Sequence, residues 1–441
     1  MGSKSDLIYA TCLDLRPQNY GKQMSEEDLL RILSDPGLQS RVTRIELGSL
    51  FESNRNLSDP VLKKLAAFKK LKEVEFDGVS LIENEMIAFL NSSSATVKKI
   101  ELNNVVILSS LPQMGQSQLA ASVEHQAALP NPSPRKLAIQ SLSMRNSRLA
   151  KSIYEFITKN SELTQVSLDH VQLQNGNQQN INELTIPPQT LQLRLSGKDL
   201  AEHNRKKQEL LEHLQKLNIT HVMYSPFDSH SLDSLLNRTP NLSELTFDQG
   251  HITSESFVNL NPLAHLKNIT FTEDTDVAGT CLDSLLSKTP ALESLTLSPY
   301  GSLQSVPSQY PNVRSLQLSY RAGHRSEESK ELLKHLLKKF PHLESLTLPY
   351  PDFSPVDENR TLKTLRIGTF SQRVGVKWDY QATSQLIKRL SSLKTLEVMQ
   401  TNGGEDEDGV PHESYALSKE AIDQLKQERP DLEIILMRNK F

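Results

Sequence analysis

A short apolar motif recurs along most of the chain and constrains its fold more than any other feature of the sequence. The hexapeptide Leu-Glu-Ser-Leu-Thr-Leu occurs at residues 292–297 and again at residues 343–348. Looser copies keep the three apolar positions and begin at Val42, Leu71, Val97, Leu163, Leu242, Leu266, Val313, Leu362 and Leu393. Self-similarity with a period of roughly 20–30 residues indicates a solenoid, in which each repeat contributes one structural unit.

The spacing inside the hexapeptide predicts a β-strand. Its last two apolar residues are two positions apart, so in a strand they point to one face while the residues between them point to the other. One such strand cannot bury its apolar face alone, but stacked neighbours can. We therefore expect parallel strands, one in each repeat, over a continuous apolar core.

The segments between hexapeptides have the pattern of helices. Residues 231–240 and 280–290 carry apolar side chains at helical spacing, and both end in Thr-Pro. Proline disfavours helix at the residue before it, so each helix should end there. Near the start of the chain, Ser25 precedes three acidic residues, which is typical of a helix N-terminus. The alternation of strand and helix predicts an α/β solenoid.

On these motifs the chain resembles the leucine-rich repeat superfamily, in particular the ribonuclease-inhibitor-like kind found also in F-box/leucine-rich-repeat proteins. The resemblance covers about residues 40–440 and implies a horseshoe with parallel strands on the concave face and helices on the convex face. The F-box itself is not seen. The chain also departs from the family at the ninth motif position, where Asn or Cys is common. The residues found there are Val79, Val105, Ser147, Val171 and Gly250.

The repeats predict one long solenoid with irregular segments. We expect residues 1–40 to form an N-terminal cap strand and helix, and residues 41–441 to form about fifteen repeats. A flexible insertion is predicted at about 109–136, an acidic loop at about 401–414 and a C-terminal cap at about 416–441. Either of the two loops could bind a partner or be a tolerated surface insertion.

Composition excludes several classes of protein. The chain has 441 residues, a formal net charge of −4 and two cysteines. Nearly balanced charge argues against a nucleic-acid partner, and two distant cysteines exclude a disulfide framework. No apolar run is long enough to span a membrane, and no signal-peptide core is seen. We expect a cytoplasmic monomer without a membrane partner, or delivery into a host cell if the source is a pathogen.

No pattern in the sequence predicts an active site. The histidines lack zinc-ligand spacing, and there is no glycine-rich phosphate loop, nucleophile elbow or pair of catalytic carboxylates. Cys12 and Cys281 each begin a Cys-Leu-Asp triplet, a pattern that marks the nucleophile in leucine-rich-repeat ubiquitin ligases of bacteria. There it lies in a separate helical domain, whereas here Cys12 lies in the first strand and Cys281 on a repeat helix. We predict that both are small buried residues, that no cofactor or metal is bound, and that the chain is not an enzyme.

The third and fifth positions of each hexapeptide should project from the concave face. They are charged in the early repeats and uncharged in the later ones. The charged pairs are Arg44 and Glu46, Glu73 and Glu75, and Lys99 and Glu101; the uncharged pairs include Ser294 and Thr296, Ser315 and Gln317, and Ser345 and Thr347. These side chains suit a hydrogen-bonding partner surface, although simple solvation of a strand would select the same residue types.

Aromatic residues recur just after the later strands, at Tyr300, Tyr320, Tyr350 and Phe370. Tyrosines on a rigid surface make effective binding anchors because they bury a large area at low entropic cost. We predict Tyr320 and Tyr350 as anchors; Tyr300 and Phe370 occupy the ninth position and could instead pack inside the turn. The predicted site also includes Thr347, Ser315, Gln317 and Arg366.

The sequence therefore predicts a non-enzymatic protein–protein interaction module that binds a macromolecular partner, most simply a protein, on its concave face. Three alternatives stay open at this point: the substrate-recognition subunit of a ubiquitin ligase, an enzyme inhibitor, and a bacterial effector delivered into a host cell.

Overall fold

A computed structural model describes most of the repeats. The described residues are 11–15, 25–48, 57–108, 136–174, 186–187, 189–196, 211–220, 229–252, 256–272, 275–277, 279–297, 309–318, 333–334, 337–348, 360–367, 380–400 and 419–438. The chain divides into two compact units, Met1–Leu214 and Gln215–Phe441, which we call unit 1 and unit 2.

Unit 1 contains parallel strands, one in each hexapeptide, and a second set of short strands. In chain order they are β1 Cys12–Asp14, β2 Arg44–Leu47, β3 Glu73–Asp77, β4 Ser80–Ile82, β5 Lys99–Asn103, β6 Val106–Leu108, β7 Ser141–Arg145, β8 Arg148–Ala150, β9 Gln165–Asp169, β10 Gln172–Gln174 and β11 Gln192–Ser196. The main sheet has the order β1-β2-β3-β5-β7-β9-β11, and β4, β6, β8 and β10 form a 4-stranded parallel sheet. The apolar hexapeptide positions stay in register, with Ile45, Val74, Ile100 and Leu142 side by side and buried.

The helices of unit 1 lie between these strands. They are α1 Glu26–Leu33, α2 Pro36–Arg41, α3 Asp59–Ala66, α4 Glu83–Ser92 and α5 Lys151–Asn160. The predicted helix start at Ser25 is confirmed, because its Oγ accepts a hydrogen bond of 3.1 Å from the backbone N–H of Asp28. The apolar stripe of α1 places Leu29 and Leu33 in the core with no exposed surface. The apolar faces of the helices and the apolar faces of the strands therefore pack into the same core.

The turns after β3, β5, β7 and β9 of unit 1 each use a left-handed residue. Gly78, Asn104, Asn146 and His170 have φ of 64°, 54°, 47° and 56°. Glycine and asparagine are the residues best suited to this conformation. In the first three of these turns the backbone N–H of this residue donates to the last carbonyl of the next main strand, at 2.8 Å each time. The left-handed residue thus ends one strand and directs the chain into the short second strand.

The short strands explain why the ninth position can be aliphatic. Val79, Val105 and Val171 are buried there, and each is followed two residues later by a buried aliphatic residue of the second sheet. Those residues are Leu81, Ile107 and Leu173, to which Leu149 adds a fourth. A second layer of apolar packing therefore stabilises these turns.

Ser147 is the exception among these positions, and its side chain bonds the turning backbone directly. It is fully buried. Its Oγ accepts a hydrogen bond from the N–H of Val105 at 3.1 Å and shares its own hydrogen between the carbonyls of Arg145 and Leu102, at 2.7 and 3.0 Å. One serine side chain thus contacts three backbone groups of this turn and its neighbour.

Unit 2 repeats the same design. Its strands are β12 Lys216–Thr220, β13 Glu244–Asp248, β14 Gly250–Ile252, β15 Asn268–Phe271, β16 Thr275–Val277, β17 Ser294–Leu297, β18 Ser315–Leu318, β19 Ser345–Leu348, β20 Thr364–Ile367, β21 Thr395–Gln400 and β22 Glu433–Arg438. Its helices are α6 Ser229–Leu236, α7 Gly279–Ser287, α8 Tyr380–Arg389 and α9 Lys419–Glu428. Strands β14 and β16 pair with each other, and the others form one parallel sheet in chain order.

The predicted helix ends of unit 2 are confirmed. Helix α6 ends at Leu236 and helix α7 at Ser287, within the three residues that precede their Thr-Pro pairs. The Oγ of Thr239 donates to the carbonyl of Leu236 at 2.8 Å, and the Oγ of Thr289 donates to that of Leu286 at 3.1 Å. Each threonine therefore satisfies a carbonyl group that the end of the helix leaves without an intrahelical partner.

The core of unit 2 is a ladder of apolar hexapeptide residues. Leu245, Ile269, Leu295, Leu316 and Leu346 are each at most 1% exposed and occupy neighbouring register positions. Next to them, the rings of Phe247 and Phe271 stack with centroids 5.1 Å apart. Repeated parallel strands with this buried ladder, connected through helices, constitute an α/β leucine-rich repeat solenoid, as the sequence predicts.

Candidate functional site

In both units, alternate strand residues point away from the core. We call the surface formed by these residues the strand face of that unit. It is the face that the sequence predicts to be concave and to bind a partner. The residues on it differ between the two units.

The strand face of unit 1 is charged. Asp14, Glu46, Glu75 and Glu101 occupy neighbouring register positions on β1, β2, β3 and β5. Like charges directly opposite each other destabilise a sheet unless cations intervene. Here Lys99 supplies one of these cations, because its Nζ lies 2.7 Å from Glu101 Oε1.

Arg44 supplies the second cation and contacts several carboxylates. Its Nε lies 2.7 Å from Glu46 Oε1, its Nη2 3.3 Å from Glu75 Oε2, and its Nη1 3.6 Å from Glu73 Oε2. Burial lowers the pKa of the Arg44 guanidinium, but the surrounding carboxylates, Glu46 foremost, outweigh it and leave the pKa raised. The charges of this face are thus organised as an ion-pair network within the sheet.

The prediction that both cysteines are buried is wrong for Cys12. Cys12 is exposed on β1, in register with Arg44 of the strand face and not with a core residue. Partial burial and the Glu46 carboxylate raise the pKa of its thiol. The prediction is confirmed for Cys281, which has no exposed surface and whose pKa burial raises to about 12. Neither thiol is activated as a nucleophile would be.

The strand face of unit 2 is mainly uncharged between β13 and β21. A first row consists of Asn268, Ser294, Ser315, Ser345, Thr364 and Thr395, each in register with the next. A second row consists of Thr246, Thr270, Thr296, Gln317, Thr347 and Arg366. Hydroxyl and amide groups therefore recur at the strand spacing of about 4.8 Å across successive repeats.

Four of the predicted site residues lie together in these rows. Ser315 belongs to the first row, and Gln317, Thr347 and Arg366 are consecutive in the second. Thr347 is only 8% exposed, which the sequence pattern did not reveal. Arg366 is ion-paired with Glu397 of β21, with Nη2 2.5 Å from Oε2. The remaining predicted residues, Tyr300, Tyr320, Tyr350 and Phe370, lie outside the described residues.

Charged residues border this uncharged surface at the start of the strands. They were not among the site residues predicted from the sequence. Lys267 pairs with Glu293 at 3.0 Å, and Glu344 pairs with Arg314 at 3.2 Å and with Lys363 at 2.7 Å. A hydrogen bond from Lys363 lowers the pKa of the Glu344 carboxyl. These ion pairs have a sequence signature, because the residue directly before each hexapeptide strand from β15 to β20 alternates between a basic and an acidic side chain.

A cavity of about 330 Å³ lies elsewhere in unit 2, beside the end of α7. Its lining includes Leu286, Pro290, Tyr310 and Pro311. The Oη of Tyr310 hydrogen-bonds to the carboxylate of Asp283. The lining offers no pair of titratable groups suited to acid–base chemistry.

In the described part of the chain, no group of three or more His, Cys, Asp or Glu side chains is arranged to hold a metal ion. None of the helices in this part has the length and apolar character needed to cross a membrane.

No family model and no curated protein matches the sequence. Solved structures of similar fold include an internalin from Listeria monocytogenes, with 11% identity, a TM-score of 0.35, and coverage of 95% of this chain and 97% of that chain. A leucine-rich repeat protein of Leptospira interrogans has 13% identity, a TM-score of 0.33 and coverage of 98% of both chains. TLR13 in its complex with ssRNA13 has 16% identity, a TM-score of 0.46, and coverage of 92% of this chain and 55% of that chain.

The chain therefore spans about half the length of the TLR13 chain that it matches. The assignment of the repeat fold rests on the strand register and the buried apolar ladder of each unit.

Proposed function

We propose that this chain is a non-enzymatic protein-interaction module and that the strand face of unit 2 binds its protein partner. The observation that carries the proposal is the pair of in-register polar rows on β13 to β21. Most of these side chains are half-buried, so their positions are fixed by their neighbours while one side remains open to a partner.

The chemistry of the rows suits recognition of another protein. Serine and threonine hydroxyls both donate and accept hydrogen bonds, and they are short enough to let a partner backbone approach the sheet. Strands held by parallel ladders on both sides move little on binding, so the partner meets a preformed surface. This arrangement supports rigid recognition and supplies no group for a chemical step.

Binding energy in such interfaces is concentrated in a few large side chains. Tyr320 follows the end of β18 by two residues, and Tyr350 follows the end of β19 by two. Tyr300 and Phe370 follow β17 and β20 by three. We propose Tyr320 and Tyr350 as the anchors, with the polar rows providing orientation.

A pair of matched variants tests the proposal. Ser315→Arg with Gln317→Arg places two bulky cations on the strand face of unit 2. Ser287→Arg with Gln385→Arg makes the same changes at exposed positions on α7 and α8. Partners captured from a lysate by the wild-type chain are compared quantitatively with those captured by each variant.

We expect the strand-face variant to lose a partner that the helix variant retains, with both variants as thermally stable as the wild-type chain. Retention of every partner by the strand-face variant, or an equal loss in both variants, would contradict the proposal.

A further inference from the structure

Four lysines gather near the N-terminal ends of strands β3 and β5 in unit 1, where the chain turns from helix into strand. Lys69, Lys70 and Lys72 lie between α3 and β3, and Lys98 directly precedes β5. The side chains of all four are exposed. We call this group the lysine edge.

The backbone fixes two of these lysines side by side. The N–H of Lys98 donates to the carbonyl of Lys72 at 2.7 Å, and the residues that follow them, Glu73 and Lys99, are register partners. Lys72 and Lys98 therefore occupy neighbouring positions on adjacent strands. Two like charges in this arrangement repel each other and destabilise the sheet.

No carboxylate relieves this repulsion within the part of unit 1 that the structure describes. Lys63 on α3 is ion-paired with Asp59, and Lys99 on β5 is ion-paired with Glu101. In contrast, none of the lysine-edge side chains makes an ion pair with a described residue. The lysine edge is thus a concentration of positive charge on a chain whose formal net charge is −4.

We propose that the lysine edge binds an acidic segment of a partner protein, rich in aspartate and glutamate. This surface lies in unit 1 and does not depend on the function proposed for the strand face of unit 2. Carboxylates from such a segment would complete the ion pairs that the edge lacks and remove the repulsion between Lys72 and Lys98.

The surroundings of the edge favour a short acidic segment over an extended polyanion. The strand face of unit 1 begins at the next residue with Glu73 and continues with Glu75 and Glu101. A nucleic acid or an anionic membrane carries closely spaced negative charge over a large area and would be repelled by these carboxylates. A peptide segment can follow the edge without crossing them.

The test uses the full chain and a fluorescein-labelled peptide of alternating glutamate and serine as the probe, with fluorescence anisotropy as the readout. The edge variant is Lys70→Gln/Lys72→Gln/Lys98→Gln. The control variant is Lys288→Gln/Lys338→Gln/Lys426→Gln, which changes the net charge equally at scattered lysines of unit 2.

We expect peptide binding by the edge variant to be about tenfold weaker than that of the wild-type chain. Binding by the control variant should be unchanged. The thermal midpoint of the edge variant should not fall, because its substitutions remove like charges; this confirms that the variant is folded.

Equal binding by the edge and control variants would overturn the proposal, as would the absence of any peptide binding by the wild-type chain at low salt. Vesicles containing phosphatidylserine and a single-stranded oligonucleotide are tested in parallel. If either binds the wild-type chain more tightly than the peptide does, and loses binding in the edge variant alone, the acidic protein segment is the wrong ligand.

Discussion

At the scale of single residues, the turns of unit 1 depend on choices that the hexapeptide pattern does not contain. The left-handed residue after β3, β5, β7 and β9 is glycine at 78, asparagine at 104 and 146, and histidine at 170. Glycine adopts that conformation freely, and asparagine and histidine are enriched in it among the other residues. Each of these residues lies one position before the ninth motif position, so the hexapeptide pattern did not indicate it.

Ser147 provides the sharpest residue-scale prediction about stability. Ser147→Ala removes the acceptor for the N–H of Val105 and leaves that buried donor without this partner. We expect the free energy of unfolding to fall by about 1–3 kcal/mol in urea denaturation. The matched control is Ser143→Ala, at a half-buried position of the strand face of unit 1, where we expect a change below about 0.5 kcal/mol. A similar effect of both substitutions would contradict the role given to the buried hydroxyl.

The proposed anchors Tyr320 and Tyr350 give a residue-scale prediction about binding. Substituting both by alanine should weaken binding to a captured partner by at least about 2 kcal/mol, measured by calorimetry with the purified partner. Tyr154 is unsuitable as a control because it is fully buried. Phe441→Ala provides an aromatic control far in sequence from both tyrosines. Unchanged affinity in the double variant would remove these tyrosines from the site.

At the scale of elements, the last helices of unit 2 are held together by Arg429. Its Nη1 donates to the carbonyls of Ile387 and Leu390 at 2.9 and 3.2 Å, and its Nη2 donates to that of Leu393 at 2.9 Å. Asp431 orients the guanidinium through hydrogen bonds of 2.8 Å. One side chain thus satisfies the end of α8 and fixes the segment that follows α9.

This clamp should make stability depend on pH. The hydrogen bond from Arg429 lowers the pKa of the Asp431 carboxyl below its ordinary value of 3.8. A lowered carboxyl pKa stabilises the fold above the ordinary value, and the stabilisation is lost as the pH falls through the lowered one. We therefore expect Asp431→Asn to reduce the urea midpoint at pH 7 and to converge with the wild-type chain in strong acid. Asp423→Asn on α9 is the control, and an equal effect of both substitutions at every pH would contradict the clamp.

Sequence periodicity predicted some of the strands and helices but not others. The main strands could be predicted from the hexapeptides, and the ends of α6 and α7 from the Thr-Pro pairs. Both signals depend only on residues close together in the sequence. The second sheet did not follow, although Leu81, Ile107 and Leu173 were visible as aliphatic residues. Its strands are three residues long, too short for an alternating pattern to be recognised.

The charged contacts were also beyond the sequence pattern. Arg366 projects from the strand face as its hexapeptide position predicts, but its partner Glu397 lies one repeat away. Cys12 is exposed because it lies on the strand face of β1, whereas Leu13 points into the core. The Cys-Leu-Asp triplet alone does not show which of these two residues faces the core. Such pairings depend on which residues neighbouring repeats place side by side.

At the scale of the whole molecule, one repeat design carries two kinds of surface. The strand face of unit 1 is an ion-pair network centred on Arg44, whereas that of unit 2 is built from hydroxyl and amide groups. Salt weakens interactions between exposed charges far more than it weakens uncharged hydrogen bonds. A partner of the lysine edge should therefore dissociate as salt is raised, whereas a partner of the strand face of unit 2 should be retained.

Cross-linking mass spectrometry of the captured complex would show whether the protein partner lies on the strand face of unit 2. Lys267, Lys363 and Lys394 are exposed at the start of strands in this sheet, while Lys388 and Lys426 are exposed on α8 and α9. With a lysine-reactive reagent, we predict cross-links from the partner to the three lysines at the starts of strands and few to the two helix lysines. Cross-links concentrated on Lys388 and Lys426 would place the partner on the helices and contradict its binding to the strand face of unit 2.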